Sequence, residues 1–207
     1  VDFWWLDWQQ WMYDKKVDSL SNTWWINYVF FSDMERNRDT RPMLYHRWGG
    51  LGNHRYQIGF SGDAVISWKS LEFQPYFTNC ASNVLYGYWS HDIGGFESTS
   101  TPDVYKRWCA FGLLSTHSRL HGSGSYRVPW VYDKDGDTEA CDVLRHYTVL
   151  KGKMMPYLWA QANKTHQVGV PMMRSMIIAF SDDTACKYLD QQYMLCLLYT
   201  SPSPRDC

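Results

Sequence analysis

Short apolar runs, each closed by a charged or imidazole side chain, punctuate this chain. Val1, Phe3, Trp4, Trp5 and Leu6 lead to Asp7, and Pro42-Met43-Leu44-Tyr45 leads to His46 and Arg47. Tyr56-Gln57-Ile58-Gly59-Phe60 precedes Asp63, and Leu85-Tyr86-Gly87-Tyr88-Trp89 precedes Asp92. A further run, Cys109 to Leu114, precedes Thr116, His117, Arg119 and His121. Brief runs without polar alternation predict strands covered on both faces.

Helical spacing fills the intervals. Ala64 to Leu85 sets Val65, Trp68, Leu71, Phe77 and Val84 on one side, and Thr101-Pro102-Asp103 reads as a cap, a first-turn proline and an early acid. Asp142 to Gly169 repeats the pattern through Val143, Leu144, Tyr147, Leu150, Met154 and Leu158, with Pro156 expected to kink or break it. Strands alternating with helices predict an α/β fold built on a parallel sheet. In α/β barrels functional side chains gather where strands end and loops begin, which makes Asp7 and Asp63 candidates for chemistry. For Asp7 the competing reading is a cap on the following helix.

Other local patterns have plainer readings. Asp133, Asp135 and Asp137 surround Gly136, but the glycine stands too early for a calcium loop, so an acidic surface turn is expected. Gly49-Gly50-Leu51-Gly52 lacks phosphate-loop spacing and reads as a flexible loop near a site mouth. His117 and His121 would share a face for metal binding only on a helix, and here they lie at a strand end. No metal or other cofactor is therefore expected.

Composition narrows the classes of partner. A net charge of -1 gives no support for nucleic acid or acidic lipid. No stretch approaches the roughly 20 apolar residues that span a membrane. With 12 Trp and 15 Tyr the chain is rich in flat surface suited to sugar faces and equally to a core. Cys80, Cys109, Cys141 and Cys186 are widely spaced, and Cys196 and Cys207 fall near the end, so neither a zinc site nor a disulfide framework is indicated.

These residues carry a resemblance. The chain resembles the catalytic barrel of glycoside hydrolase family 31, the α-glucosidases and α-xylosidases, from Val1 to about Leu195. The family's W-x-D segment corresponds to Trp5-Leu6-Asp7 and its Gly-Asp to Gly62-Asp63. Its D-I-x-G-F and R-x-H segments are Asp92-Ile93-Gly94-Gly95-Phe96 and Arg119-Leu120-His121. The spacing from Arg47 through Asp63, Asp92 and Phe96 to His121 keeps the family's register. Pro156-Tyr157-Leu158, the Gly169 to Arg174 segment and the Asp190 to Leu195 segment continue the similarity.

The resemblance implies a (β/α)8 barrel and retaining hydrolysis of α-O-glycosidic bonds through a covalent glycosyl-enzyme, α-glucosidase-like. Asp7 is then the nucleophile and Asp63 the acid/base. Arg47, Asp92 and His121 grip sugar hydroxyls, and Phe96 and Trp5 supply apolar floor. The implied partner is an oligosaccharide or α-glycoside. Where many family α-glucosidases continue with Met-Asn-Glu after the nucleophile, this chain has Trp8-Gln9-Gln10. That departure opens the pocket to xylose, galactose or an N-acetylated sugar. A transglycosylase shares every residue named, and a catalytically dead carbohydrate binder is the rival from another class.

A complete barrel takes about 250 residues, so the chain is expected to hold only the second half, roughly strands four to eight, truncated at both ends. Residues 1–165 are assigned to that half barrel and 166–195 to its end and the start of a following β domain. Residues 196–207 resemble the translation of a sequencing adapter and are read as a non-native, disordered tail. Open sheet edges and a half-exposed apolar face are expected, and with them an inactive isolated fragment. Compartment and oligomeric state are left open.

Overall fold

The computed structural model describes residues 1–8, 10–47, 50–134, 136–196 and 198–200. Its elements begin with β1 (Trp4–Leu6), α1 (Asn22–Asn37), β2 (Leu44–His46), β3 (Ile58–Phe60) and α2 (Trp68–Asn83). There follow β4 (Tyr88–Ser90), β5 (Asp92–Ile93), α3 (Pro102–Gly112), β6 (Arg119–Leu120) and α4 (Glu139–Val168). β7 (Met173–Ser175), α5 (Met176–Ala179), β8 (Tyr193–Leu195) and β9 (Leu198–Thr200) complete the described chain.

Strands β1 to β4 lie parallel and in chain order, and β5 pairs in parallel with β6. Parallel strands joined through α1, α2 and α3 make the β/α succession of a partial α/β barrel. Each of these helices starts where a hydroxyl side chain takes a free backbone N–H. Ser21, Ser67 and Thr101 accept from Trp24, Ser70 and Val104, and Pro102 opens α3 with the φ it already prefers.

Among the described residues the packing forms three clusters, the least of them made of Ala81, Tyr86 and Trp89. One core gathers Leu71, Ile93, Val104, Tyr105, Trp108 and Phe111 with side chains of α4 and β8. A smaller one joins Leu6, Met34, Leu44 and Tyr56 between β1, β2 and α1. Large apolar side chains stay exposed, among them Trp11, the α1 residues Trp24, Trp25 and Tyr28, and Trp159 of α4.

Several expectations need correction. Cys109 to Leu114 is not a strand: Cys109–Gly112 is the last turn of α3, where Val104, Tyr105, Trp108 and Cys109 recur at helical spacing and are buried. A helix buried on most sides reads as a plain apolar run. Among the described residues no α-helix separates β2 from β3; a 3-10 turn, Asn53–Tyr56, lies in the connection. Pro156 does not break α4, which runs on to Val168. Pro156 is exposed, and so is Gly152 four residues before it, whose carbonyl loses the bond that the missing N–H would have made. Past Cys196 the chain is not wholly irregular, because Leu198–Thr200 pairs antiparallel with β8. Leu197 and residues 201–207 lie outside the described residues, as do Gln9, Trp48, Gly49 and Asp135.

Asp133 serves as a cap, its Oδ1 accepting the backbone N–H groups of Ala140 and Cys141 at 3.0 and 3.3 Å. Among the described residues no helix is long and apolar enough to cross a membrane.

Candidate active site

The register of β1 on β2 pairs Leu6 with His46, which brings the next residues, Asp7 and Arg47, out of adjacent strand ends side by side. Arg47 Nη1 donates to Asp7 Oδ1 at 3.0 Å, and Arg47 Nη2 reaches Asp63 Oδ1 at 2.9 Å. One guanidinium thus holds both candidate carboxylates. Asp63 reaches it through Gly62, whose φ of 84° is ordinary only for glycine. Burial works against the Arg47 charge, but the hydrogen bonds and charges of Asp7 and Asp63 outweigh it and hold its pKa above the ordinary value.

Asp92 opens β5 with its side chain fully buried and receives Arg119 Nη2 at 2.6 Å. Burial pushes its carboxyl up to about 6, while Arg119 pulls it down; the charge of Asp63 raises it further and that of Arg47 lowers it. Those couplings set Asp92 beside the Asp7–Arg47–Asp63 cluster. His121 lies at the exposed rim, its ring 5.3 Å from that of Phe96. Local desolvation and the charge of Arg119 hold its imidazole below the usual range, against the opposing pull of Asp63 and Asp7.

Beneath the polar groups lies an aromatic layer. Trp5, Tyr45 and Phe60 meet with ring centroids 4.4 to 5.3 Å apart. Trp5 and Tyr45 each stand two residues before a charged group of the cluster, hence on the same side of the strand and one layer deeper. Beside the cluster opens a cavity of about 690 Å³, lined by Arg47, Asp63, Phe60 and, from α2 and β4, Phe77 and Trp89.

The loop carrying Phe96 is secured from behind. Arg127, buried, donates Nε and Nη2 to the Gly95 carbonyl at 3.0 and 2.8 Å and Nη2 also to that of Phe96 at 3.3 Å. Phe96 and Glu97 in turn donate their backbone N–H groups to the Ala64 carbonyl.

All seven residues singled out from the sequence therefore converge at one end of the parallel strands. Trp5 enters through the layer below the carboxylates. Arg119, Tyr45 and Phe60 were not singled out. The available signal was the period of two: Arg119 precedes His121 as Trp5 precedes Asp7 and Tyr45 precedes Arg47. In the segment that departs from the family pattern, Gln10 Nε2 donates to the Asp7 carbonyl at 2.7 Å and Trp8 is exposed. Gln10 thus supports the exit from β1. Among the described residues no three His, Cys, Asp or Glu side chains cluster to hold a metal, and His117 packs its ring on Tyr45 at 5.0 Å.

Known proteins are similar to this chain in sequence and fold. An alpha-xylosidase of Emericella nidulans is 41% identical over 155 residues, 75% of this chain and 19% of its own length. Alpha-xylosidase XylQ of Lactiplantibacillus pentosus is 43% identical over 143 residues, 66% of this chain and 18% of its own. The solved structure of a cycloalternan-degrading enzyme from Trueperella pyogenes, in complex with a covalent intermediate, superposes with a TM-score of 0.77 at 25% identity, over 84% of this chain and 26% of that one. The chain spans about a fifth of the length of the curated relatives. Residues 1–161 match the glycosyl hydrolases family 31 TIM-barrel domain, so the chain belongs to glycosyl hydrolase family 31.

Proposed function

We propose that the protein to which this chain belongs cleaves α-O-glycosidic bonds with retention of configuration, Asp7 acting as nucleophile and Asp63 as acid and then base. The observation that carries the reading is the single guanidinium of Arg47 gripping both carboxylates. Retention requires two carboxyl groups about 5 to 5.5 Å apart, one to attack the anomeric carbon and one to protonate the leaving oxygen. Arg47 Nη1, bonded to Asp7 Oδ1, fixes the orientation of the attacking carboxylate. Once Asp7 is esterified its negative charge is gone, and Arg47 then acts on Asp63 alone. The bond from Arg47 Nη2 then holds Asp63 in place while it serves as the base that deprotonates water. Asp92 and His121 bind sugar hydroxyls, and Phe96 packs beside the ring.

The covalent intermediate in the Trueperella relative supports double displacement. For the sugar, two α-xylosidases at 41% and 43% identity favour an α-xyloside over the α-glucoside implied by the family's commonest activity. Residues 1–207 alone are expected to be inactive, since β1 has a partner only on its β2 side among the described residues and Asp7 is 31% exposed.

The test uses the full-length parent. Asp63→Ala is expected to spare aryl α-glycosides with good leaving groups and to cost about 10²- to 10⁴-fold on natural disaccharides, which need protonation. Equal losses on both would remove Asp63 from the acid role. Comparing aryl α-xyloside with aryl α-glucoside decides the sugar. Product analysis with an acceptor sugar present separates hydrolysis from transglycosylation.

A further inference from the structure

We infer that Arg119 is a positioning residue for Asp92, holding it ionised with one carboxylate oxygen left to accept a sugar hydroxyl; this rests on the glycosidase reading above. Three observations meet here. Arg119 Nη2 lies 2.6 Å from Asp92 Oδ1, and the Asp92 side chain is fully buried. Asp92 Oδ2 is also buried and meets no hydrogen-bond donor among the described residues. Arg119 itself is seated on the aromatic layer, its guanidinium carbon 5.1, 4.9 and 5.1 Å from the ring centroids of Trp5, Tyr45 and Phe60.

The arrangement has a physical logic. A carboxylate shut away from water needs a counter-charge, and one left with an unpaired acceptor is costly until something donates to it. A hydroxyl of the substrate does so. Guanidinium suits the seat because its flat cation stacks on ring faces while its edge stays free for the carboxylate. Asp92 also faces Asp63 and Arg47, and its charge is felt by Tyr45, so Arg119 is the cation bonded to it directly. Without that cation the buried acid keeps its proton to higher pH, and the protonated form offers a hydroxyl a weaker acceptor. Arg119 thus acts on binding through Asp92, one layer beneath the sugar.

The experiment measures kcat and KM of the full-length parent on an aryl α-glycoside from acidic to neutral pH, for wild type, Arg119→Met, Arg119→Lys and Asp92→Asn. Arg119→Met is expected to raise KM more than it lowers kcat. It should also move the acid limb of kcat/KM upward by about one to three pH units. Arg119→Lys, which keeps a charge but not the flat stack, should return the limb toward wild type. In an Asp92→Asn background, Arg119→Met should produce no further rise in KM. Should Arg119→Met fail to fold, Arg119→Gln carries the same comparison. An acid limb and KM unchanged from wild type in the charge-removing variant would overturn the inference, as would equal effects of Arg119→Met with and without Asp92. No turnover by wild type on any α-glycoside defeats the glycosidase reading itself, a result distinct from either.

Discussion

The two halves of the molecule solve the burial of aromatic side chains differently. In the half formed by β4 to α4, Trp108 is fully buried, bonds His91 Nδ1 through its Nε1 at 2.8 Å and packs with Tyr105 and Phe111. In the half formed by β1, α1 and β2, Trp24 and Trp25 of α1 are 37% and 47% exposed, and the core is a small cluster around Leu6 and Leu44. The site lies on the seam. Asp7, Arg47 and Asp63 rise from β1 to β3, whereas Asp92, Arg119 and His121 belong to the better packed half. On the proposed reading the two reacting carboxylates and Arg47 stand with the looser part and Asp92 and His121 with the firmer one, so chemistry and stability should respond to different substitutions.

The largest effect expected is from Asp7→Ala in the full-length parent, on the order of 10⁴-fold or more in kcat on an aryl α-glycoside, with little change in thermal unfolding. Appreciable remaining turnover would break the division by removing the nucleophile from the first half. Next, Trp108→Ala should destabilise by about 3 to 5 kcal/mol, read by denaturant unfolding, because it empties a filled core. Thr101→Ala removes the hydroxyl that caps α3 and should cost about 1 kcal/mol. Smallest is Trp25→Ala, expected to fall within about 0.5 kcal/mol, as at an ordinary surface position. A loss at Trp25 comparable with that at Trp108 would mean that α1 is covered in the parent, and the contrast between halves would vanish.

Much of this was legible before any coordinates. A polar group closing an apolar run marked the ends of β1 and β2, and Thr101-Pro102 announced the start of α3. What escaped has physical reasons. Cys109 to Leu114 misled because a deeply buried helix end loses the polar face that reveals its period. Between His46 and Ile58 the glycines Gly49, Gly50 and Gly52 already spoke for a loop over a helix, but nothing in them marks the 3-10 turn at Asn53–Tyr56. Arg119 stood in plain view within Arg119-Leu120-His121, yet its role depends on Asp92, 27 residues earlier. A pairing of that kind is written in register and depth, which one sequence does not display.

The anchoring of the Phe96 loop by Arg127 has a kinetic consequence. Amide hydrogens in turns usually exchange with solvent quickly, because a small local opening frees them. Here Phe96 and Glu97 bond to Ala64, while the carbonyls of Gly95 and Phe96 are held by a buried cation. Opening the loop strips Arg127 of acceptors as well as breaking those amide bonds. The amides of Phe96 and Glu97 should accordingly exchange at rates typical of the surrounding core, making this turn as slow to breathe as the helices behind it.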